Sequence, residues 1–370
     1  MKTKIAFIGG GINSAIGHTH ISSCLIDGLW QIQPSYFSQT KNINEATHSR
    51  YCIPWRRHFE TYRHYLDDFT EPPDLIAVLT PSPTHFDMVC EILERKIPLL
   101  IEKPIVCNRD QAGHLLNLLK SDESLFVRYV HNYSHYPLFK EMEIKIHQGA
   151  IGSIHHIIAK APSDGYARTA MTGLPQKWRQ QDSEIPMLAL DLGTHLYHLV
   201  HRLIKDDKGS LIANANQLVS TFGVIDNMTI QCETNKGCLI DYWFSKSHLG
   251  VKNGLAIEAY GESGSLRWYQ ESPDNLIYST QESNPILLNR GSLTAELAAL
   301  DRFKPGHPTG FVEAMGYFYQ DLHEDLINFI DHKSGNKWIN RAENACSGIL
   351  FLDNAYQSAL KRKWMHEVTI

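Results

Sequence analysis

The chain lacks any set of paired cysteines. Its seven cysteines (Cys24, Cys52, Cys90, Cys107, Cys232, Cys238 and Cys346) are odd in number, and no two stand as CxxC. A disulfide framework or a zinc knuckle is therefore not written into the spacing, and reduced thiols are the simpler expectation. No apolar run approaches the roughly 20 residues that a membrane-crossing helix needs. The opening run Ile5–Ile8 meets glycines at once and is too short for a secretory core. A cytoplasmic protein without a membrane partner is expected. Basic charge is also short: 35 Lys and Arg face 40 Asp and Glu, a net charge of −5 with a pI near 6.5, so there is no electrostatic case for nucleic acid. Internal repeats and low-complexity tracts are missing as well. What is there is ordinary globular material, and 370 residues suit two domains better than one.

Residues 1–130 alternate short apolar runs with amphipathic segments. Strands are expected at Ile5–Ile8, Ile32–Ser38, Leu75–Leu79, Pro98–Ile101 and Leu125–Val130, and helices at Ile16–Leu25, His85–Arg95 and Gln111–Leu119. Continuous apolar strands between helices predict an α/β domain with a parallel sheet covered on both faces. From 131 to 370 the texture changes. After a helix at Leu138–His147 come runs with polar alternation: Ile154–Ala161, Gln217–Phe222, Thr229–Thr234, Cys238–Phe244 and Leu255–Tyr260. Turns such as Asn235-Lys236-Gly237 join them, so an α+β domain with a mostly antiparallel or mixed sheet is expected. Two helices, near Gly316–Lys333 and Arg341–Leu360, close the chain.

Directly after the first strand runs Gly9-Gly10-Gly11-Ile12-Asn13-Ser14-Ala15-Ile16-Gly17. A sharp turn, a backbone without side chains and a following helix N-terminus suit a dinucleotide pyrophosphate, and Gly9, Gly11, Asn13 and Ile16 are the candidates to line it. The third glycine falls later than GxGxxG requires, and a ligand-less strand-to-helix turn is the alternative reading. At the end of the second strand, Tyr36-Phe37-Ser38-Gln39-Thr40-Lys41 offers no acid for a ribose diol. Ser38 and Lys41 suit a 2′-phosphate, while Gln39 suits a hydroxyl, so NAD and NADP both stay open. The fourth strand ends Glu102-Lys103-Pro104, which sets Lys103 at the carboxyl end of a parallel strand, where this architecture binds its ligands.

The glycine-rich start, Thr80-Pro81-Ser82-Pro83-Thr84-His85, Glu102-Lys103-Pro104, Gly149-Ala150-Ile151-Gly152 and Asp191-Leu192-Gly193-Thr194-His195 follow one another in order. Together they resemble the glucose–fructose oxidoreductase, inositol dehydrogenase and rhizopine-catabolism (Gfo/Idh/MocA) family over most of the chain. Gly264-Ser265-Leu266-Arg267-Trp268 and Pro305-Gly306-His307-Pro308 resemble its long-chain branch. The resemblance implies an N-terminal Rossmann domain that holds NAD or NADP, with Thr80, Pro81, His85, Glu102 and Lys103 added to the cofactor contacts. It implies a second domain on a large open sheet through which members form homodimers or homotetramers. It also implies hydride transfer between the nicotinamide and a hydroxyl or carbonyl of a sugar, cyclitol or sugar derivative. Glu184–Leu190 departs from the small residues that members often carry there.

Asp191, His195 and His198 stand at i, i+4 and i+7, one face if the segment is α-helical. By the resemblance, His195 exchanges the proton of the reacting hydroxyl, Lys103 hydrogen-bonds the same oxygen and Asp191 orients the substrate or the lysine. Histidine suits the task because its ordinary pKa lies near neutrality. The same three side chains could instead hold zinc, but no fourth ligand or HExxH pattern accompanies them, and no metal is expected. A solvated polar face is the plain alternative. Trp178 and Arg179 are candidate substrate contacts, since an aromatic can stack on a sugar face and a guanidinium can bind a hydroxyl or carboxylate, with a packed Trp and a surface Arg as the alternative. By the resemblance Tyr133 lines the nicotinamide side of the cleft, with plain core as its alternative, and His198 joins the candidate substrate contacts. An NAD-dependent glycosidase of the same fold and a non-catalytic dinucleotide-binding protein are the competing functions.

Overall fold

The structure is a computed structural model that describes residues 2–169, 173–204, 208–300 and 302–370. It divides into two compact units, Met1–Asn132 with Gly310–Cys346, and Tyr133–Thr309 with Ser347–Ile370. The sequence places a boundary near residue 130; the structure adds to the first unit the returning segment Gly310–Cys346.

In the first unit β1 (Thr3–Gly9), β2 (Trp30–Ile32), β3 (Leu75–Leu79), β4 (Leu99–Ile101) and β5 (Val127–Tyr129) form a parallel sheet in the order β2-β1-β3-β4-β5. Around it lie α1 (Gly17–Leu25), α2 (Lys41–Arg50), α3 (Tyr62–Asp67), α4 (His85–Glu94) and α5 (Arg109–Ser121). Neighbours in β1 and β3 point to opposite faces, yet Ile5, Phe7, Ile8, Leu75, Ile76 and Val78 are all fully buried. Both faces are therefore covered, which is why these strands read as unbroken apolar runs. The returning helix Phe311–Ile330 supplies Met315, Phe318, Leu322 and Leu326 to the core around Ile5, Phe7 and Leu75.

The second strand is shorter than expected. Its ladder stops at Ile32, because Pro34 has no N–H to give and Ser35 turns its hydroxyl onto the Phe7 amide at 3.0 Å. The chain still tracks β1, with Tyr36 N donating to Phe7 O and Gly9 N to Tyr36 O, each at 2.9 Å.

The second unit opens with α6 (Pro137–His147) and carries β6 (Ile154–Pro162), α7 (Thr194–Ile204), β7 (Lys208–Asn216), β8 (Asn227–Thr234), β9 (Leu239–Ser245), β10 (Ala256–Gly261), β11 (Gly264–Tyr269), β12 (Leu276–Thr280), β13 (Ser283–Leu288) and β14 (Met365–Thr369). The strands build one nine-stranded sheet in the order β13-β12-β11-β10-β6-β9-β8-β7-β14, antiparallel apart from the β6–β9 pair. Helices cover one face: Phe139 of α6 packs edge-on against Trp268, and Phe351 packs against both Tyr197 and Tyr242. Along β6, Ile157, Ala159 and Ala161 are buried while Ile158 and Lys160 on the other face are only half-buried.

The strand expected at Gln217–Phe222 is a loop; the ladder there belongs to Lys208–Asn216, whose low content of branched residues hides it. The reason is Asp226. Its carboxylate accepts the amides of Leu218, Val219 and Ser220 at 2.8, 2.8 and 2.6 Å, which satisfies backbone donors that a strand would have paired with a neighbour.

Candidate active site

In the first unit β1 runs out into the glycine loop. Gly9 and Gly10 have φ of +87° and +80°, conformations that favour glycine. A Cβ on Gly9 would stand 2.7 Å from the Leu79 carbonyl carbon, and one on Gly17 would stand 2.0 Å from Gly10 O. Gly17 thus takes the close helix-to-strand packing role that GxGxxG assigns to its last glycine, only later in the sequence. Ser14 Oγ accepts the amides of Ile16 and Gly17 at 3.3 and 3.2 Å, two donors at the start of α1 that the helix itself leaves unpaired. Ile12 and Asn13 are left exposed at the tip, with Ile16 half-buried behind them. Gly11 N donates to Phe37 O at 3.2 Å, and Ile12 N to Thr47 Oγ1 at 3.1 Å, which tie the loop to the chain after β2. Ser38 Oγ, on that chain, accepts the Thr40 amide at 3.1 Å. The loop keeps backbone, not side chains, at its inner turn, and this fits a dinucleotide pyrophosphate.

Thr80, Pro81, Glu102 and Lys103 sit at the carboxyl ends of β3 and β4, the edge where parallel sheets bind ligands. Thr80 is half-buried and Pro81 exposed, while His85 and Glu102, expected among the cofactor contacts, are buried. His85 Nδ1 reaches Pro104 O and its Nε2 reaches Thr80 O, both at 2.8 Å, so one ring braces both loops. Glu102 Oε2 accepts the Lys103 amide at 2.9 Å, and Oε1 lies 2.8 Å from His20 Nε2, whose other ring nitrogen is 2.7 Å from the Tyr319 hydroxyl. Burial pushes the Glu102 pKa up, but His20, Lys103 and His85 outweigh it and bring the carboxyl below its ordinary value. The Lys103–Pro104 peptide is cis. His20 and Tyr319, 299 residues apart, carry no mark in the sequence that separates them from any buried His or Tyr.

In the second unit, Asp191 does not begin an α-helix. Ala189–Gly193 is a π-helical turn that leads into α7, so the advance per residue from Asp191 to His195 is not that of a regular α-helix. Gly193 makes the junction fit, since a Cβ there would come within 2.7 Å of Leu352. Asp191 Oδ2 accepts from Arg179 Nη1 at 2.6 Å and from Lys246 Nζ at 2.5 Å. Arg179 lies 4.4 Å over the Trp178 ring, and Lys246 lies 5.0 Å over Tyr166. The Tyr133 ring meets His195 edge-on, with centroids 4.8 Å apart at 78°. Burial raises the Tyr133 pKa and Asp191 adds to the rise, while a hydrogen bond with Asn253 opposes it. His198, expected to touch substrate, is buried with Nε2 2.9 Å from Ser134 Oγ. Sequence reasoning misses Lys246, Tyr166 and Asn253; the one signal for Lys246 is a cation just past the end of strand β9, among Ser245, Ser247 and His248. Among the described residues no group of three His, Cys, Asp or Glu side chains is placed to hold a metal ion.

Residues 3–129 match the family model of the oxidoreductase family with an NAD-binding Rossmann fold, and residues 139–267 match the Gfo/Idh/MocA C-terminal domain. The chain belongs to the Gfo/Idh/MocA family. It is thus an NAD(P)-binding oxidoreductase of the dehydrogenase and reductase type. The uncharacterized oxidoreductase YfiI of Bacillus subtilis is 23% identical, over 96% of this chain and 94% of its own. The uncharacterized protein YMR315W of Saccharomyces cerevisiae is 27% identical over 54% of this chain and 57% of its own. Among solved structures, an inositol dehydrogenase homolog from Azotobacter vinelandii complexed with NAD+ superposes with a TM-score of 0.92 at 22% identity, covering 99% of this chain and 97% of its own. An inositol dehydrogenase homolog from that organism complexed with NADH and myo-inositol gives 0.89 at 22%, covering 99% and 98%. Levoglucosan dehydrogenase with NADH and levoglucosan gives 0.82 at 17%, covering 99% and 100%. No helix among the described residues is long and apolar enough to cross a membrane.

Proposed function

We propose that this chain is a dehydrogenase or reductase that moves a hydride between a nicotinamide dinucleotide and a hydroxyl or carbonyl of a sugar, cyclitol or sugar derivative. The observation that carries this reading is in the second unit. There an imidazole, His195, is oriented by an aromatic ring, and a carboxylate, Asp191, is fixed by two cations within the preceding turn. That the neighbouring structures are described with myo-inositol and levoglucosan supports a polyol-like substrate. Oxidation of an alcohol requires its proton to leave as the hydride does. His195 takes that proton, and Lys103 hydrogen-bonds the same oxygen and stabilises the charge that develops on it. Asp191, held rigid by Arg179 and Lys246, orients substrate hydroxyls, and Trp178 offers a stacking face. When bound, the dinucleotide supplies the hydride acceptor or donor. His85 and Glu102 act on this site by holding the Thr80 and Lys103 loops.

The test is a panel of sugars, cyclitols and their derivatives, followed by absorbance of the reduced nicotinamide. With a substrate so found, Lys103→Met is expected to lower turnover by about 10²–10³-fold and His195→Asn by about 10²–10⁴-fold. Wild-type turnover in Lys103→Met, or turnover with no net absorbance change, overturns the reading.

The same reading takes the protein to be a cytoplasmic homodimer or homotetramer joined through the outer sheet face. On that face Glu258 gathers Lys160, Tyr260 and Tyr269 at 3.1, 2.6 and 3.2 Å, polar partners that are already satisfied when a second face covers them. Sedimentation is expected to give a multiple of 42.1 kDa at micromolar concentration; a monomer contradicts it.

A further inference from the structure

We infer that the nucleotide site of this chain prefers the 2′-phosphorylated dinucleotide, NADP(H), with Ser38 and Lys41 as the residues that read the phosphate. The inference rests on the reading that the first unit holds a nicotinamide dinucleotide. In this fold the adenosine ribose lies beyond the carboxyl end of the second strand. An acid there binds the 2′-hydroxyl of NAD, and a cation there accommodates the 2′-phosphate of NADP. From Gly28 to Asn44 this chain has no Asp or Glu at all. The first acid, Glu45, comes a full turn inside α2.

The corner where the ribose lies is well defined. Gly11 N donates to Phe37 O at 3.2 Å, Phe37 N to Asn44 Oδ1 at 2.9 Å, and Ile12 N to Thr47 Oγ1 at 3.1 Å. These three bonds fasten the glycine loop, the chain after Phe37 and α2 to one another. Residues 38–41 are held at this corner by their immediate neighbours. Ser38 is half-buried, and its Oγ accepts the Thr40 amide at 3.1 Å, which folds 38–40 into a tight turn and leaves the hydroxyl proton to be donated outward. Gln39, Thr40 and Lys41 are exposed. Lys41 makes no ion pair among the described residues, and no acid stands in the first turn of its helix.

The charges decide between the two cofactors. A phosphate monoester carries about −1.5 to −2 at neutral pH. Between Ser38 and Asn44 the chain presents one lysine and no acid, so the phosphate meets attraction without a repelling carboxylate. A ribose diol at the same place finds no carboxylate to accept its two hydroxyl protons, only neutral acceptors such as Gln39.

Binding of NADPH and NADH to the full-length protein, measured by calorimetry without substrate, tests this. NADPH is expected to bind at least tenfold tighter, with the ratio falling as salt rises. Lys41→Ala is expected to narrow that ratio by on the order of tenfold, the worth of one charge-assisted contact, and Ser38→Asp to invert it. Equal affinities, or tighter NADH, overturn the inference and leave the proposed function standing. Binding of neither form overturns both, and so the two failures are told apart.

Discussion

Replacing Gly17 by alanine sets two effects of opposite sign against each other. Gly17 opens α1, and alanine is worth up to about 1 kcal/mol more than glycine inside a helix. Against that gain, the new methyl would stand 2.0 Å from Gly10 O, 2.6 Å from Gly10 C and 2.9 Å from Gly10 Cα. Non-bonded heavy atoms settle at about 3.5–4.0 Å, so the loop must retreat by roughly 1 Å or more. The obstacle is backbone and cannot change rotamer. Overpacking of this kind costs about 1–3 kcal/mol, which exceeds the helical gain. A net loss of about 1–2 kcal/mol is expected, with a drop of roughly 2–8 °C in the melting of a unit this size. Dinucleotide affinity should fall as well, because Gly10 belongs to the loop that meets the pyrophosphate. Gly113, within α5, is the control: no heavy atom lies within 4 Å of its added Cβ, so Gly113→Ala should stabilise by about 0.5–1 kcal/mol and leave affinity unchanged. Calorimetric titration with the dinucleotide and a thermal melt of each variant measure both quantities. A Gly17→Ala protein that binds like wild type and melts no lower refutes the reasoning.

Two other perturbations have readable outcomes. Arg202 grips Glu143 with two bonds of 2.8 and 2.7 Å, and both side chains are buried. Arg202→Leu strands a buried carboxylate and should cost about 3–5 kcal/mol in urea unfolding, much of it recovered when Glu143→Leu is added; no recovery in the double variant contradicts this. Burial holds His48, His85, His131 and His323 of the first unit below the ordinary histidine value, and Lys103 adds to the effect at His131. Between the depressed folded pKa and about 6.5 the unfolded chain binds more protons, so stability is complete above that pH and drains as pH falls below it. Each such histidine contributes a slope of at most ~1.4 kcal/mol per pH unit. Denaturant midpoints should fall from pH 7.5 to pH 5.5, and a flat profile would count against buried neutral histidines.

How far the fold could be read depended on what each segment buries. β3 is Leu-Ile-Ala-Val-Leu, buried at every position, and a five-residue apolar run closed by Thr80-Pro81 is too short for a buried helix and the right length for a buried strand. α2 is the opposite case. Its sequence, Lys-Asn-Ile-Asn-Glu-Ala-Thr-His-Ser-Arg, has no apolar stripe, and its buried residues are Asn44, Thr47 and His48. Each of the three holds a backbone group elsewhere: Asn44 takes the Phe37 amide, Thr47 takes the Ile12 amide, and His48 takes the Ser35 amide at 3.2 Å. A helix that packs through polar bonds to loops leaves no 3.6-residue hydrophobic period for the sequence to show. A stretch to which the sequence assigns no element is therefore one that fixes the nucleotide loop. At Gln217–Phe222 the failure ran the other way: a run resembling a strand was claimed by the carboxylate of Asp226, which lies four residues beyond it.

The site shows the same division more sharply. Spacing alone puts Asp191, His195 and His198 on one stripe, and this is sound only while every residue advances by the α-helical angle. The π turn at Ala189–Gly193 inserts a wider loop of backbone just there, so the α-helical angle does not hold from Asp191 to His195. Each of the three side chains also has partners on other elements. Asp191 meets Arg179 and Lys246, His195 meets Tyr133, and His198 meets Ser134. These partners are the physical objection to a shared metal: a carboxylate oxygen that already takes two cations has no reason to turn toward a third, and His198 Nε2 lies against a hydroxyl. None of it could be deduced from the motif, since Lys246 lies 55 residues beyond Asp191 and Tyr133 lies before α6. Periodicity reports neighbours along one element, whereas these pairings join separate elements. An acid beside a histidine marks the place where chemistry can happen, and the distant cation decides what the acid is able to do there.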